Sequence, residues 1–371
     1  MFSSIKKFIL FLLPLGLLFI FPVFVFVASK EYYSPEQALL FQQKNPKTIV
    51  GFAYSGDSAT FKELLVTKKN PAVFSLGTSR VGEFRKEFFH DSEQFVTASN
   101  AISSIDDMKT FVEKLPSNNQ QKILILGLDQ NMFWSSRSKE SKRQSNFERM
   151  KKFFLIEWKE PYLDYFSGKF SPKELWKKSA NSKNIGLSGI IKNDGFRNDG
   201  SYQYSTLLTV KEREKTLKVS IDALVTMFQK ERSSSDFKEP VSKKALSSLN
   251  ELLMLCKKRN IHVIGFLPPY PSVTYHELIR VDDIYKERML QLPKIAKKVF
   301  SDYGFTFFDF SDSTILGEHD NEFVDSAHAT DKYYLRMTIF MAKKDKQLEK
   351  YVDIQKAQQL LKNTENDFMN N

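Results

Sequence analysis

Two short runs, Lys122-Ile-Leu-Ile-Leu-Gly127 and Ile261-His-Val-Ile-Gly-Phe-Leu267, most constrain how this chain can fold. Apolar residues follow one another in them instead of alternating with polar ones, so each strand must be covered on both faces. The remaining rhythm agrees. Ala72–Leu76 reads as a strand that turns at Gly77 into a helix to Phe89, and Gln94–Ala98 as a strand followed by a helix over Ser104–Leu115. Further on come helices over Lys215–Lys230 and Val241–Arg259, a stop at Pro268-Pro269, a helix over Asp282–Tyr303, a strand over Phe305–Phe310 and a helix after His328. Strands alternating with helices predict an α/β fold, a parallel sheet covered on both faces. Residues 31–70 read as a polar connector. Residues 71–345 form the main domain, with an insertion at about 130–215 rich in Lys, Ser, Asn and aromatics, and 346–371 form a charged tail.

Phe8–Ala28 carries no charge and follows Lys6 and Lys7. A run of this length suffices to cross a bilayer as a helix. It is longer than a typical signal core, Phe26 occupies a position that cleavage needs small, and no Ala-x-Ala follows, so an uncleaved signal anchor is expected. Lys6 and Lys7 put the short tail (residues 1–30 with the anchor) in the cytoplasm and the bulk of the chain outside the cytoplasmic membrane. Cys256 is the only cysteine, so no internal disulfide can form, and its apolar helical setting marks it as core. The net charge of +11 suggests anionic lipid headgroups, an acidic cell-surface polymer or a merely solvated basic surface. Nucleic acid is not an expected partner of an exported, anchored domain.

Chemistry concentrates in two places. Phe74-Ser-Leu-Gly77-Thr-Ser79-Arg80 puts a serine where a strand meets a turn, and Phe323-Val-Asp325-Ser-Ala-His328 puts a carboxylate three residues before an imidazole. A serine hydroxyl becomes a useful nucleophile when an imidazole takes its proton, and a carboxylate holds that imidazole in the right tautomer. Taken alone, Gly-Thr-Ser-Arg could be an ordinary strand-end turn and Asp325 a helix cap. Taken together they predict Ser79, His328 and Asp325 as nucleophile, base and orienter.

These blocks, at opposite ends of an α/β chain, resemble the SGNH branch of the GDSL hydrolase superfamily over roughly residues 70 to 345. The resemblance implies a three-layer α/β/α sandwich with a central parallel sheet and assigns the same three residues to the triad. It also implies oxyanion donors: the Ser79 N–H, a glycine after the second strand and an Asn in a Gly-x-Asn-Asp block. Here Ser99 stands nearest the glycine's place and Asp129 stands where the Asn belongs. An ionised Asp129 would repel an oxyanion. Asn131 or Gln130 would then serve, or Asp129 would bind a substrate hydroxyl. With an anchor, altered middle blocks and intact Ser and Asp-x-x-His, the chain is similar to the D-alanyl transfer proteins of teichoic acid modification and the alginate O-acetylation proteins. That likeness implies a multi-span membrane acyltransferase as partner and an anionic cell-surface glycan as acceptor.

Two other segments stand out. Asn193–Tyr202, with Arg197 and turn glycines, suits a carbohydrate or phosphate-bearing ligand, or is a hydrophilic loop of turn residues. Tyr270, after Pro268-Pro269, either lines the site or belongs to a rigid loop. No histidine pair has metal-ligand spacing, and no phosphate loop or dinucleotide fingerprint occurs, so no metal and no cofactor are expected. The expected function is serine acyl transfer, most directly O-acylation of an envelope polysaccharide. An esterase or deacetylase of the same fold and a non-catalytic polysaccharide-binding or envelope-assembly protein are the alternatives.

Overall fold

The computed structural model describes residues 16, 18–116, 121–134, 145–205, 209–232, 241–281, 283–317 and 320–364. They fall into two compact units: residues 62–142, 199–201 and 208–371 in one, and residues 1–61, 143–198 and 202–207 in the other.

The larger unit is built on five parallel strands, β1 (Val73–Leu76), β2 (Phe95–Ala98), β3 (Lys122–Gly127), β6 (Ile261–Leu267) and β7 (Thr306–Asp309), in the order β2-β1-β3-β6-β7. β1, β2 and β3 are buried along their whole length. Successive side chains of a strand point to opposite faces, and helices cover both. Ile123, Ile125, Ile264 and Phe266 pack with Tyr334, Leu335 and Met337 of the helix Asp331–Ala342. On the opposite face the Phe300 ring, from the helix Asp283–Asp302, lies so near Gly265 that a Cβ there would meet it at 2.2 Å.

Other helices follow from local signals. Ser104 caps Ile105–Lys114 by accepting from the Asp107 N–H, with Asp106 and Asp107 in the first turn, where negative charge meets the positive end of the helix. Ser242 caps Lys243–Lys258, whose Leu249, Leu252, Leu253 and Cys256 are buried. Burial pushes the Cys256 thiol up to about 12, as expected for a core cysteine.

The helix expected from Ser79 to Phe89 does not form. Short 3₁₀ turns, Ser79–Val81 and Lys86–Phe88, flank an extended Arg85. Arg85 is buried and pairs with Asp331 at 2.9 Å, a partner 246 residues away that helical geometry would not serve. Asp282–Tyr303 is preceded by a separate helix, Ser272–Val281, which was not foreseen. The tail is helical over Ile354–Asn363, and Leu348, Val352 and Ala357 are buried in the same core as the sheet.

In the smaller unit the helix Pro35–Lys44, within the connector, carries a capping box between Ser34 and Gln37. Glu31, the first acid after the apolar run, is buried. Its carboxylate accepts from the N–H groups of Ala53 at 2.8 Å, Ser55 at 3.0 Å and Leu187 at 3.0 Å. A two-stranded antiparallel hairpin, β4 (Gly195–Phe196) and β5 (Tyr202–Gln203), completes the unit. Among the described residues no helix is long and apolar enough to cross a membrane. Of the expected anchor Phe8–Ala28, residues 8–15 and 17 lie outside the described residues, and 18–28 are helical.

Candidate functional site

All five sheet strands run parallel, so the loops after their carboxyl ends share one edge. Thr78, Ser79 and Arg80 follow β1, Ser99 follows β2, Asp129 follows β3, Pro268–Tyr270 follow β6, and the segment holding Asp325 and His328 follows β7. Two glycines shape the turn after β1. A Cβ at Gly77 would meet Val81 Cγ1 at 2.6 Å, and one at Gly127 would meet it at 2.3 Å. Val81 therefore drops between the ends of β1 and β3 and tilts Ser79 out of the strand direction.

The Ser79 hydroxyl lies 2.8 Å from His328 Nε2, across 249 residues of chain. His328 Nδ1 is 2.9 Å and 3.0 Å from the two Asp325 oxygens. Chemistry assigns the protons: Nδ1–H donates to the carboxylate, which leaves Nε2 to accept from the serine. Asp325 Oδ1 also accepts from the N–H groups of Ala327 at 2.8 Å and His328 at 2.9 Å, so the loop presents its carboxylate inward. It caps no helix, because the next one begins at Asp331 behind Thr330.

The base of this loop is closed. Val324 N–H donates to the His328 carbonyl at 2.7 Å, and Thr330 N–H to the Glu322 carbonyl at 2.8 Å. Glu322 in turn receives Arg336 in bidentate fashion, at 3.1 Å and 2.9 Å. Burial alone would lower the pKa of His328. The hydrogen bond and charge of Asp325, with the charge of Glu83, outweigh it and hold the imidazole above its ordinary value. Burial would likewise raise Asp325, but bonding to His328 and the loop amides keeps it below the usual carboxylate range.

Arg80, next to the serine, was quoted in the sequence without a role and proves central. Buried, it donates from Nε to the Ala327 carbonyl at 3.1 Å, from Nη1 to Gln130 Oε1 at 2.9 Å, and from Nη2 to the carbonyls of Pro268 at 2.9 Å and Pro269 at 2.7 Å. Its guanidinium stacks 4.0 Å above the Tyr270 ring. Arg80 thereby ties the histidine loop, the loop after β3 and the loop after β6 to the turn that carries Ser79. No motif flags a buried cation beside a serine, and only the fold reveals it.

The other expected residues divide. Tyr270 is at the correct sheet edge but is buried beneath Arg80. Gln130 is buried too, its amide donating to the Pro268 carbonyl at 3.0 Å and to Ser311 at 2.9 Å, so it does not reach in as a donor. Asn131 is exposed on the 3₁₀ turn Gln130–Phe133, where its carbonyl accepts from Trp134 N–H at 3.2 Å. Asp129 does not cap that turn. It accepts from the Thr78 hydroxyl at 2.7 Å through Oδ2, while Oδ1 is buried without a hydrogen-bond partner among the described residues.

Ser99 is fully buried, and its hydroxyl accepts from Lys62 Nζ at 3.2 Å. Lys62, itself buried, is brought down to about 7 by burial, against the charges of Asp199 and Glu83. It also donates to the Gly200 carbonyl. Gly200 has a φ of +85° and no room for a Cβ, which would meet the Thr97 carbonyl at 2.2 Å. Asp199 accepts from Lys86 N–H at 2.9 Å and from Ser201 N–H at 2.9 Å, and its own carbonyl accepts from Thr97 N–H at 2.8 Å. Asp199–Ser201 is thus an internal brace of the larger unit. Arg197 sits in the β4–β5 hairpin of the smaller unit, donating to the Tyr202 carbonyl at 2.5 Å.

Ser79 begins a 3₁₀ turn, so its N–H has no partner within that turn. Among the described residues no group of three or more His, Cys, Asp or Glu side chains could hold a metal ion. Compared with protein-family models, with curated proteins and with solved structures, the chain shows no significant match.

Proposed function

We propose that this protein is a membrane-anchored, extracytoplasmic serine acyl-transfer enzyme with an SGNH-like three-layer α/β/α catalytic domain. Its reaction is O-acylation, acetylation in the simplest case, of an anionic cell-surface polysaccharide or related envelope polymer. A multi-span membrane acyltransferase would deliver the acyl group. The observation that carries this reading is the unbroken relay from Ser79 Oγ through His328 to Asp325, at 2.8 Å and 2.9 Å.

In the first half-reaction Ser79 Oγ attacks the acyl carbonyl as His328 Nε2 takes its proton. The tetrahedral oxyanion collapses, the leaving group departs with that proton, and the acyl group remains as an ester on Ser79. In the second, a sugar hydroxyl gives its proton to His328 and attacks the ester. Ser79 Oγ leaves and recovers the proton. Asp325 stays ionised throughout and stabilises the transient imidazolium. Asp129 would repel an oxyanion placed beside it, and its carboxylate is already engaged by the Thr78 hydroxyl through Oδ2. Oxyanion stabilisation then falls to the Ser79 N–H and its neighbours.

The test is Ser79→Ala expressed in place of the native chain. Loss of acyl groups from the surface polymer, and of labelling by a fluorophosphonate probe, is expected. Unchanged acylation overturns the transferase. Purified protein that turns over acyl esters in water yet transfers to no glycan identifies an esterase instead.

A further inference from the structure

The apolar run that opens the chain does not end at a hinge. Within the smaller unit its described part, residues 18–28, is embraced by residues 146–181. Trp158 packs on Phe19 at 5.3 Å, Tyr162 on Phe21 at 4.9 Å, Trp176 on Phe24 at 6.3 Å and Phe153 on Phe26 at 4.4 Å. The Tyr162 hydroxyl donates to the Leu18 carbonyl at 2.9 Å. The embracing residues are short helices, Asn146–Lys152, Glu160–Phe166 and Pro172–Asn181, with a π-helical turn over Phe153–Glu157.

Each piece also turns a large apolar side chain outward. Phe166 is 78 % exposed, Phe147 75 %, Trp176 67 % and Leu155 66 %. Four large apolar side chains exposed on one stretch of 36 residues exceed the single scattered ones of an ordinary surface and point to an interaction surface. Lys151, Lys159, Lys173 and Lys177 stand exposed among them, the mixture of aromatics and long cations found where protein meets a bilayer interface. Depth decides what covers the surface. Phe19 lies nine residues before Ala28, so Trp158 sits about 14 Å along the helix from the end of the apolar run, at 1.5 Å per residue. If Phe8–Ala28 spans the bilayer, whatever packs on Phe19 and Leu18 is already inside the leaflet.

We infer that residues 146–181 form a collar immersed in the leaflet on the side of the folded body. Acyl chains cover Phe147, Leu155, Phe166 and Trp176, and phosphate headgroups meet Lys151, Lys173 and Lys177, whose neighbours Phe153 and Trp176 pack on Phe26 and Phe24 near the end of the run. This rests on reading Phe8–Ala28 as a membrane-spanning helix, and it goes beyond that reading. The smaller unit is then held in the leaflet by its own side chains as well as by the spanning helix.

The full chain, reconstituted in phosphatidylcholine vesicles with one quarter phosphatidylglycerol, tests it. The chain has three tryptophans, and single-tryptophan variants retain Trp134, Trp158 or Trp176 with Phe at the other two positions. Phosphatidylcholine brominated near the middle of its acyl chain should quench Trp176 and Trp158 at least twofold and leave Trp134 unchanged. Phe166→Cys carrying an environment-sensitive fluorophore disturbs no core and should shift to the blue and be quenched likewise. Vesicles that float with the protein while Trp176 and the label at 166 keep the same emission in both lipids overturn the collar and spare the anchor. Failure to float with the vesicles overturns both.

Discussion

His328 carries a pKa above its ordinary value of about 6.5, and the general base must be neutral. Fluorophosphonate labelling of Ser79 should therefore rise with pH, with a midpoint above 6.5 and coincident with the NMR titration of the His328 ring. The stability effects have opposite signs. The raised His328 value stabilises the fold below about pH 6.5 and loses this as pH climbs through the folded pKa. The lowered Asp325 value stabilises it above about pH 3.9 and loses this on acidification. Asp325→Asn removes the orienting charge and should slow labelling on the order of 10⁴-fold, with the His328 titration moving down. Arg80→Lys keeps the charge but not the four-way fork, so a loss of about a hundredfold in labelling is expected from misplacement alone. Its His328 pKa should stay near the native value, which separates lost positioning from a damaged triad. Ser79, Asp325 and His328 were legible because strand, turn and local spacing announce them. Arg80 was not, since its four partners come from three loops distant in sequence.

The five strands of the parallel sheet were legible to within a residue, whereas the short hairpin β4–β5 lay in a segment read as a loop. The stretch after Ser79 deceived for a physical reason. Val81, Phe84 and Phe88 are buried and spaced as on one face of a helix, yet Arg85 must extend to reach Asp331. That pair joins the segment after Ser79 to the helix following His328, and both side chains are almost wholly buried. Removing one partner takes a buried charge from its opposite, although Arg85 also donates to Glu87 Oε2 at 3.1 Å. Asp331→Ala or Arg85→Met should each cost about 3–5 kcal/mol in urea unfolding, while Arg85→Met with Asp331→Leu should recover most of it. The brace Asp199–Ser201 was equally hidden. Its polar, turn-rich composition suits a ligand loop as well as a segment consumed by internal hydrogen bonds, and only partners remote in sequence decide.

Neither compact unit is one continuous stretch, since the smaller is assembled from residues before 62 and from 143 to 207. A chain beginning at Lys62 would keep all three triad residues yet lose Val25, Phe26 and Tyr54 from the core shared with Phe153, Phe170 and Leu175. Such a chain should bind a hydrophobic dye and scatter light as it aggregates, whereas the full chain in detergent should do neither. The distance along the chain between Ser79 and His328 also has a consequence in time. At roughly 5 to 20 residues per second, the 249 residues separating them take about 12 to 50 s to synthesise. Throughout that interval the serine has no imidazole beside it. The pairing of Ser79 with His328 is therefore one of the last events of folding, possible only once β7 and the loop behind it have been made.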